Sequence, residues 1–174
     1  MRQLPFILLP LIVACNGTHA STSTRPDRPG KIRELFAQMR EGRWTGRTWP
    51  KLDWDDVAAL LALADSDVAL ASFPVNPISS QSQEDCSTGM MALWLIEGIR
   101  LQSPNGYPSL NPLCFDAKDS MNQDWDASSL ANLPRAASAY RQWWQRVRSL
   151  PVSERKTINP LAGSGLAWYG SAAR

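Results

Sequence analysis

The chain has 174 residues, 44% hydrophobic and 20% charged, so it excludes a disordered or fibrous polymer and is too short for two full-sized domains. A formal charge of only +2 gives no reason to propose nucleic acid as a partner. Eight tryptophans are many for this length, and they either fill a core or line a groove.

The first segment, MRQLPFILLPLIVACNGTHA, opens with Arg2 and is almost wholly apolar from Leu4 to Ala14. That is the length of a secretory leader's apolar stretch and too short to span a bilayer, so residues 1–14 read as a signal peptide. Its end, Ile12 to Cys15 (IVAC), resembles the lipobox of bacterial lipoproteins: a branched apolar residue, a second residue, a small one, then cysteine. The resemblance covers only about these fifteen residues. It implies cleavage before Cys15 and acylation of that cysteine, hence an exported protein attached to a membrane by fatty chains and facing the periplasm. Asn16 stands where enteric lipoproteins kept at the inner membrane carry aspartate, which points to the outer membrane. The alternative is ordinary leader cleavage after Ala20, where small residues also stand in the required places. Residues 15–30 then read as a lipidated cysteine on a small, polar, proline-containing tether, and residues 31–174 as a single helical domain.

If Cys15 carries lipid, Cys86 and Cys114 remain as an even pair in an oxidising compartment. A disulfide between them would close a loop of about 29 residues and add about 3–4 kcal/mol in the chain-entropy account. Two separate buried thiols are the alternative.

In KIRELFAQMREG, Ile32, Leu35, Phe36 and Met39 recur at helical spacing and Gly42 supplies a stop. A connector follows that carries Trp44, Trp49 and Trp54 near several arginines, a combination that can hold a sugar, a peptide or a protein partner. The next helix starts at Asp53, which suits an N-cap, with Asp55 and Asp56 at the positive end of the helix dipole. Trp54, Val57, Leu60, Leu61 and Ala64 form its apolar stripe. The three aspartates do not make a calcium loop, because the glycine and distal glutamate of an EF-hand are missing.

The stretch EDCSTGMMALWLIEGIR, residues 84–100, is apolar around nearly its whole circumference from Met90 to Ile99, so it predicts a central helix. Glu97 interrupts it. A carboxylate among apolar neighbours must be paired, and Arg100, three residues on, is within reach. The other use of such a glutamate is as general acid on a glycosidic bond, as in muramidases. The second carboxylate that this chemistry needs has four equally placed candidates, Asp116, Asp119, Asp124 and Asp126.

From Gln102 to Arg135 the chain is rich in proline and glycine, with short helical turns expected near 110–115 and 127–132. In SAYRQWWQRVRSL, Tyr140, Trp143, Trp144 and Val147 share one helix face and the arginines take the other. The tail, ending in Trp168 and Tyr169, is too apolar to dangle and should lie back on the body. No run alternates for strand length, so the fold class expected is all-α, with about four main helices. VNPIS, LNPLC and INPLA repeat an Asn-Pro turn, which leaves HEAT-like helix pairs as a variant.

The single histidine, His19, lies in the leader or tether, which removes histidine-based triads and zinc sites. No phosphate-binding glycine loop is present, and no cofactor or metal is implied. Ser153 to Lys156 has the Ser-x-x-Lys spacing of penicillin-binding proteins, but without their companion motifs it reads as a helix start after Pro151. The body, through ALWLIEGIR to NPLAGSGLAWYG, is similar to small uncharacterised bacterial envelope proteins, a likeness that carries no activity. The sequence therefore predicts a lipid-anchored envelope protein with a binding role, a periplasmic immunity-type protein being one version of it. A cell-wall hydrolase using Glu97 is the alternative.

Overall fold

A central helix with few polar side chains must be wrapped by other elements, and the rest of the chain is arranged to do so. The computed structural model describes residues 28–46, 50–74, 85–102, 112–118 and 125–169. In chain order the elements are α1 (Arg28–Arg40), a 3-10 turn (Trp54–Asp56), α2 (Val57–Leu61), α3 (Thr88–Leu101), β1 (Cys114–Asp116), α4 (Trp125–Val147), α5 (Val152–Arg155) and β2 (Leu166–Trp168).

Helix α3 is buried from Thr88 to Gly98. It packs on α2 on one side and α4 on the other, while α1 leans on α2. Its N-terminus is tied down by partners within the protein. Ser87 caps it by accepting from the Met90 amide at 3.2 Å, and the Thr88 and Gly89 amides donate to the carbonyls of Val68 and Ser66 at 2.8 and 2.7 Å. The approach at Gly89 leaves no room for a side chain, because a Cβ there would meet the Ala64 carbonyl oxygen at 2.6 Å.

Helix α1 buries Ile32, Leu35, Phe36 and Met39 and stops where Gly42 takes a left-handed φ of +67°. The Arg43 amide returns to the Gln38 carbonyl at 2.8 Å, which closes that end. The helix begins earlier than the sequence predicts: Arg28 to Gly30, assigned to the tether, are helical. Asp53 does cap the next element. Its carboxylate accepts from the Asp55 amide at 2.9 Å, and Asp56 accepts from the Asp53 amide at 2.8 Å, a reciprocal capping box. The helix expected from there onwards is broken into a 3-10 turn, five α-helical residues and a set of turns.

About half of the described residues are helical, but two expectations about the second half of the chain are overturned. A two-stranded antiparallel sheet is present, with Cys114, Phe115 and Asp116 opposite Trp168, Ala167 and Leu166. Strand β1 takes the place of the helical turn expected near 110–115, where the described residues begin at Pro112. Three residues are too few for alternation to be read, and the pairing spans more than fifty residues of sequence, so only tertiary packing selects it. The last long helix also starts at Trp125 and runs straight through Pro134. The proline removes a bond to the carbonyl of Leu130, and Leu130 is exposed, so solvent can satisfy that carbonyl. The tail does lie back on the body: Leu166 and Trp168 are buried through β2. Of the three Asn-Pro repeats, only Asn159-Pro160 lies wholly within the described residues. There the Asn159 side chain accepts from the Leu161 amide at 2.9 Å and forms a local turn.

Candidate functional site

Glu97 sits one turn from the end of α3, facing α4. Both carboxylate oxygens are occupied. Arg100 donates its Nε to Oε2 at 2.9 Å and its Nη2 to Oε1, and the Tyr140 hydroxyl donates to Oε2 at 3.0 Å. The third nitrogen of Arg100 donates to the Lys156 carbonyl at 2.8 Å, beyond α5, and the Trp168 indole donates to the Tyr140 oxygen at 2.8 Å. One buried carboxylate thus joins α3, α4, the α5 end and β2. Its partners show the tension of such a site. Burial works against the charge on Arg100, but the hydrogen bond and charge of Glu97 outweigh it and raise the guanidinium pKa. Burial, reinforced by the Glu97 charge, pushes the Tyr140 phenol well above its ordinary value.

This is the geometry of a structural ion pair. A general acid must reach a substrate oxygen, and Glu97 is buried behind Arg100, with side-chain exposures of 6% and 11%. Of its four proposed partner carboxylates, Asp116 lies in β1 and is engaged by the Lys118 amide at 3.1 Å and by Arg135 at 3.5 Å. Those contacts, the backbone one first, lower its pKa. Asp119 and Asp124 lie outside the described residues, as does the side chain of Asp126, which falls in the first turn of α4.

The disulfide is not made. Cys86 and Cys114 are both buried and are not bonded to each other. Cys86 sits just before the N-cap of α3, whereas Cys114 pairs with Trp168 and feels the charge of Glu97 near the other end of that helix. From Thr88 to Glu97 the helix rises by roughly 14 Å, far more than the ~4 Å between Cβ atoms that a bridge requires. Burial pushes the Cys114 thiol up to about 12, which keeps it protonated and inert. Cys15 lies outside the described residues.

Trp44 packs half-buried against the core, and Trp49 lies outside the described residues. Trp54 stacks on Trp144 with centroids 6.4 Å apart and planes 12° from parallel, and it also touches Trp143 at 6.1 Å. The Arg155 guanidinium lies over both Trp54 and Trp144, 5.6 and 5.8 Å from their centroids, and is fixed by the Leu150 carbonyl at 2.6 Å. These aromatic faces already hold a cation, supplied by the protein itself. Ser153 lies within α5 and Lys156 is its C-cap, and the helix follows Pro151 as expected of a helix start.

An open groove of about 510 Å³ lies elsewhere, between the exposed face of α4 and the 160–164 loop. Arg135, Ser138, Gln142 and Arg146 line the helix side; Pro160, Gly163 and Ser164 line the loop side. Arg135 is held in place by Asn132 Oδ1 at 3.2 Å, the Ser164 carbonyl at 2.9 Å and Asp116 at 3.5 Å. Arg146 is exposed and has no partner among the described residues. The sequence reading puts Arg146 on the polar face of the last long helix without singling it out, and Arg135 at the end of the irregular stretch. The available signal was the polar stripe at positions 135, 138, 142 and 146, which recurs with helical period opposite the aromatic face. Among the described residues no cluster of three or more metal-ligating side chains occurs, and no helix is long and apolar enough to cross a membrane.

A family described as a domain of unknown function, DUF4943, matches residues 31–169. The chain belongs to the DUF4943 family. The matched span runs from α1 to the end of β2, so the Glu97 network and the α4 groove are both parts of the DUF4943 domain. The chain matches no curated protein and no solved structure.

Proposed function

We propose that this DUF4943 chain is a lipid-anchored binding protein of a bacterial cell envelope, with no hydrolytic role for Glu97. The observation that carries the choice of binding over catalysis is the state of that carboxylate. Three donors from Arg100 and Tyr140 fill it inside the protein, whereas the open, basic groove on α4 is free to meet a partner. The anchor rests on the leader and on the lipobox-like Ile12–Cys15. The scaffold is read as an all-α body in which the two three-residue strands clasp the tail onto α4, leaving α3 rigid behind the binding face.

Expression of the full chain in a Gram-negative host tests both parts. The mature protein is expected in the membrane fraction, with its N-terminal peptide starting at an acylated Cys15, and Cys15→Ala is expected to abolish the acyl mass. Wild-type protein is expected to release no reducing ends from purified peptidoglycan. An intact starting methionine without acyl mass overturns the anchor; release of reducing ends that Glu97→Gln removes overturns the binding reading.

A further inference from the structure

The α4 groove has a chemistry specific enough to name a ligand class, and the inference deepens the binding reading just given. Its two charged lining residues, Arg135 and Arg146, are both cations, and no acidic side chain lines it among the described residues. They stand eleven residues apart on one helix face, which separates them by roughly 16 Å. Arg135 is pre-set: three hydrogen bonds to Asp116, Asn132 and Ser164 hold its guanidinium and leave two of its five N–H donors for an incoming anion. Asp116 partly offsets its charge, so Arg146 is the stronger free cation. Between them Ser138 and Gln142 are bonded to each other at 3.3 Å and exposed, with further hydrogen-bonding capacity. The opposite wall is open at Gly163, where a Cβ would touch nothing within 4 Å, so a ligand backbone can come close. Among the described residues no aromatic ring lines the groove, which argues for a peptide rather than a stacked sugar.

We infer that this groove binds an extended acidic peptide segment whose two carboxylates lie four residues apart, on one face of the extended chain and roughly 13 Å along it, the two side chains spanning the remainder to reach Arg135 and Arg146.

The test uses the full chain in non-ionic detergent and a fluorescent alanine-serine peptide carrying two glutamates four residues apart, read by anisotropy. Binding is expected, and it should weaken about tenfold when both glutamates become glutamine or are moved next to each other. Arg146→Gln should weaken it by a similar factor without moving Tm, because Arg146 is exposed and bonded to nothing described. Ser138→Trp, which fills the groove and leaves the charges alone, should weaken it too. Raising salt from about 50 to about 200 mM should reduce affinity, since the pairs are solvent-exposed. Absence of binding, equal binding of the glutamine peptide, or indifference to Arg146→Gln and Ser138→Trp overturns the inference. Tighter binding of a carboxylated glycan, lost in the same two variants, overturns the peptide assignment while leaving the binding role of the domain standing. Loss of the lipid anchor in the Cys15 experiment leaves this measurement unaffected, so the two readings fail separately.

Discussion

Glu97→Gln is nearly isosteric, yet it should be among the more damaging single substitutions in this domain. The carboxylate receives three hydrogen bonds, two from Arg100 and one from Tyr140. An amide offers one acceptor and one donor group, so its NH2 must face an N–H or O–H that also donates. The guanidinium keeps its charge with an exposure of 11% but loses its counter-charge and one of its two carboxylate acceptors, retaining the amide oxygen and the Lys156 carbonyl. Breaking a buried pair by removing one partner costs about 3–5 kcal/mol. With roughly 3 °C lost per kcal/mol at this size, Tm should fall by about 10–15 °C. Arg100→Met should cost a similar amount, because Glu97 is then left buried with Tyr140 alone. The double variant should cost clearly less than the two singles together, by about 2 kcal/mol or more, since neither uncompensated charge remains. Thermal and urea unfolding of the four proteins give the cycle. Additive losses, or a Glu97→Gln protein with unchanged Tm and lost cleavage of peptidoglycan, would refute the structural assignment.

Three further outcomes follow from the packing. Gly89→Ala should destabilise the domain by about 1–3 kcal/mol, read as a lower urea midpoint, because the new Cβ meets backbone oxygens of Ala64 and Ser66 at 2.6 and 2.9 Å that cannot swing away. Native protein at pH 8 should resist iodoacetamide at Cys86 and Cys114 and take up two labels there once unfolded; a mass showing a Cys86–Cys114 bridge would contradict the unbridged pair. Tyr140 should not ionise with the ordinary tyrosines in an absorbance titration near 295 nm. Its native pKa is raised, so the proton is held more tightly folded than unfolded. The stability it contributes is therefore intact below about pH 10 and falls as pH rises above that. Tyr140→Phe should make stability above pH 10 less steeply pH-dependent, while lowering it by about 1–3 kcal/mol at neutral pH through the lost bond to Glu97.

What was legible in the sequence was what depends on near neighbours. The all-round apolar α3 reads as central because no polar face exists to meet water, and the Asp53 cap, the Gly42 stop and the Glu97–Arg100 contact each act within a few residues. What was not legible depends on distant partners. Strand β1 has three residues, and its identity as a strand comes from Trp168, whose place opposite Cys114 no local pattern encodes. The same holds for Tyr140 on Glu97, a contact across forty-three positions. Pro134 misled for a different reason: its penalty is real but falls on a carbonyl that solvent can reach, and the helix face beside it carries the buried Leu133, Ala136, Ala137 and Tyr140.

The same division explains why the candidate functions sorted as they did. Reading Glu97 as catalytic required only that an acid lie among apolar residues, which the sequence supplies. Deciding its role required the three donors that fill it, and two of the elements concerned, α4 and β2, lie far along the chain. Trp54 followed the same course: an aromatic beside arginines is a binding surface only if its face is open, and Arg155 closes it from a hundred residues away. The groove reverses the pattern. Its arginines are unremarkable in sequence, as charges on the solvent side of a helix usually are, and they line a groove only because the 160–164 loop folds back beside them. That loop is held by the Arg135 bond to the Ser164 carbonyl and by the Trp143 indole on the Ile158 carbonyl at 2.9 Å. Trp143 lies in the same aromatic cluster as Tyr140, whose hydroxyl bonds Glu97, so the buried network and the binding face share one mechanical support. A substitution that loosens Glu97 is therefore expected to reach the groove by way of α4, lowering peptide affinity along with Tm. Arg146→Gln should lower affinity alone.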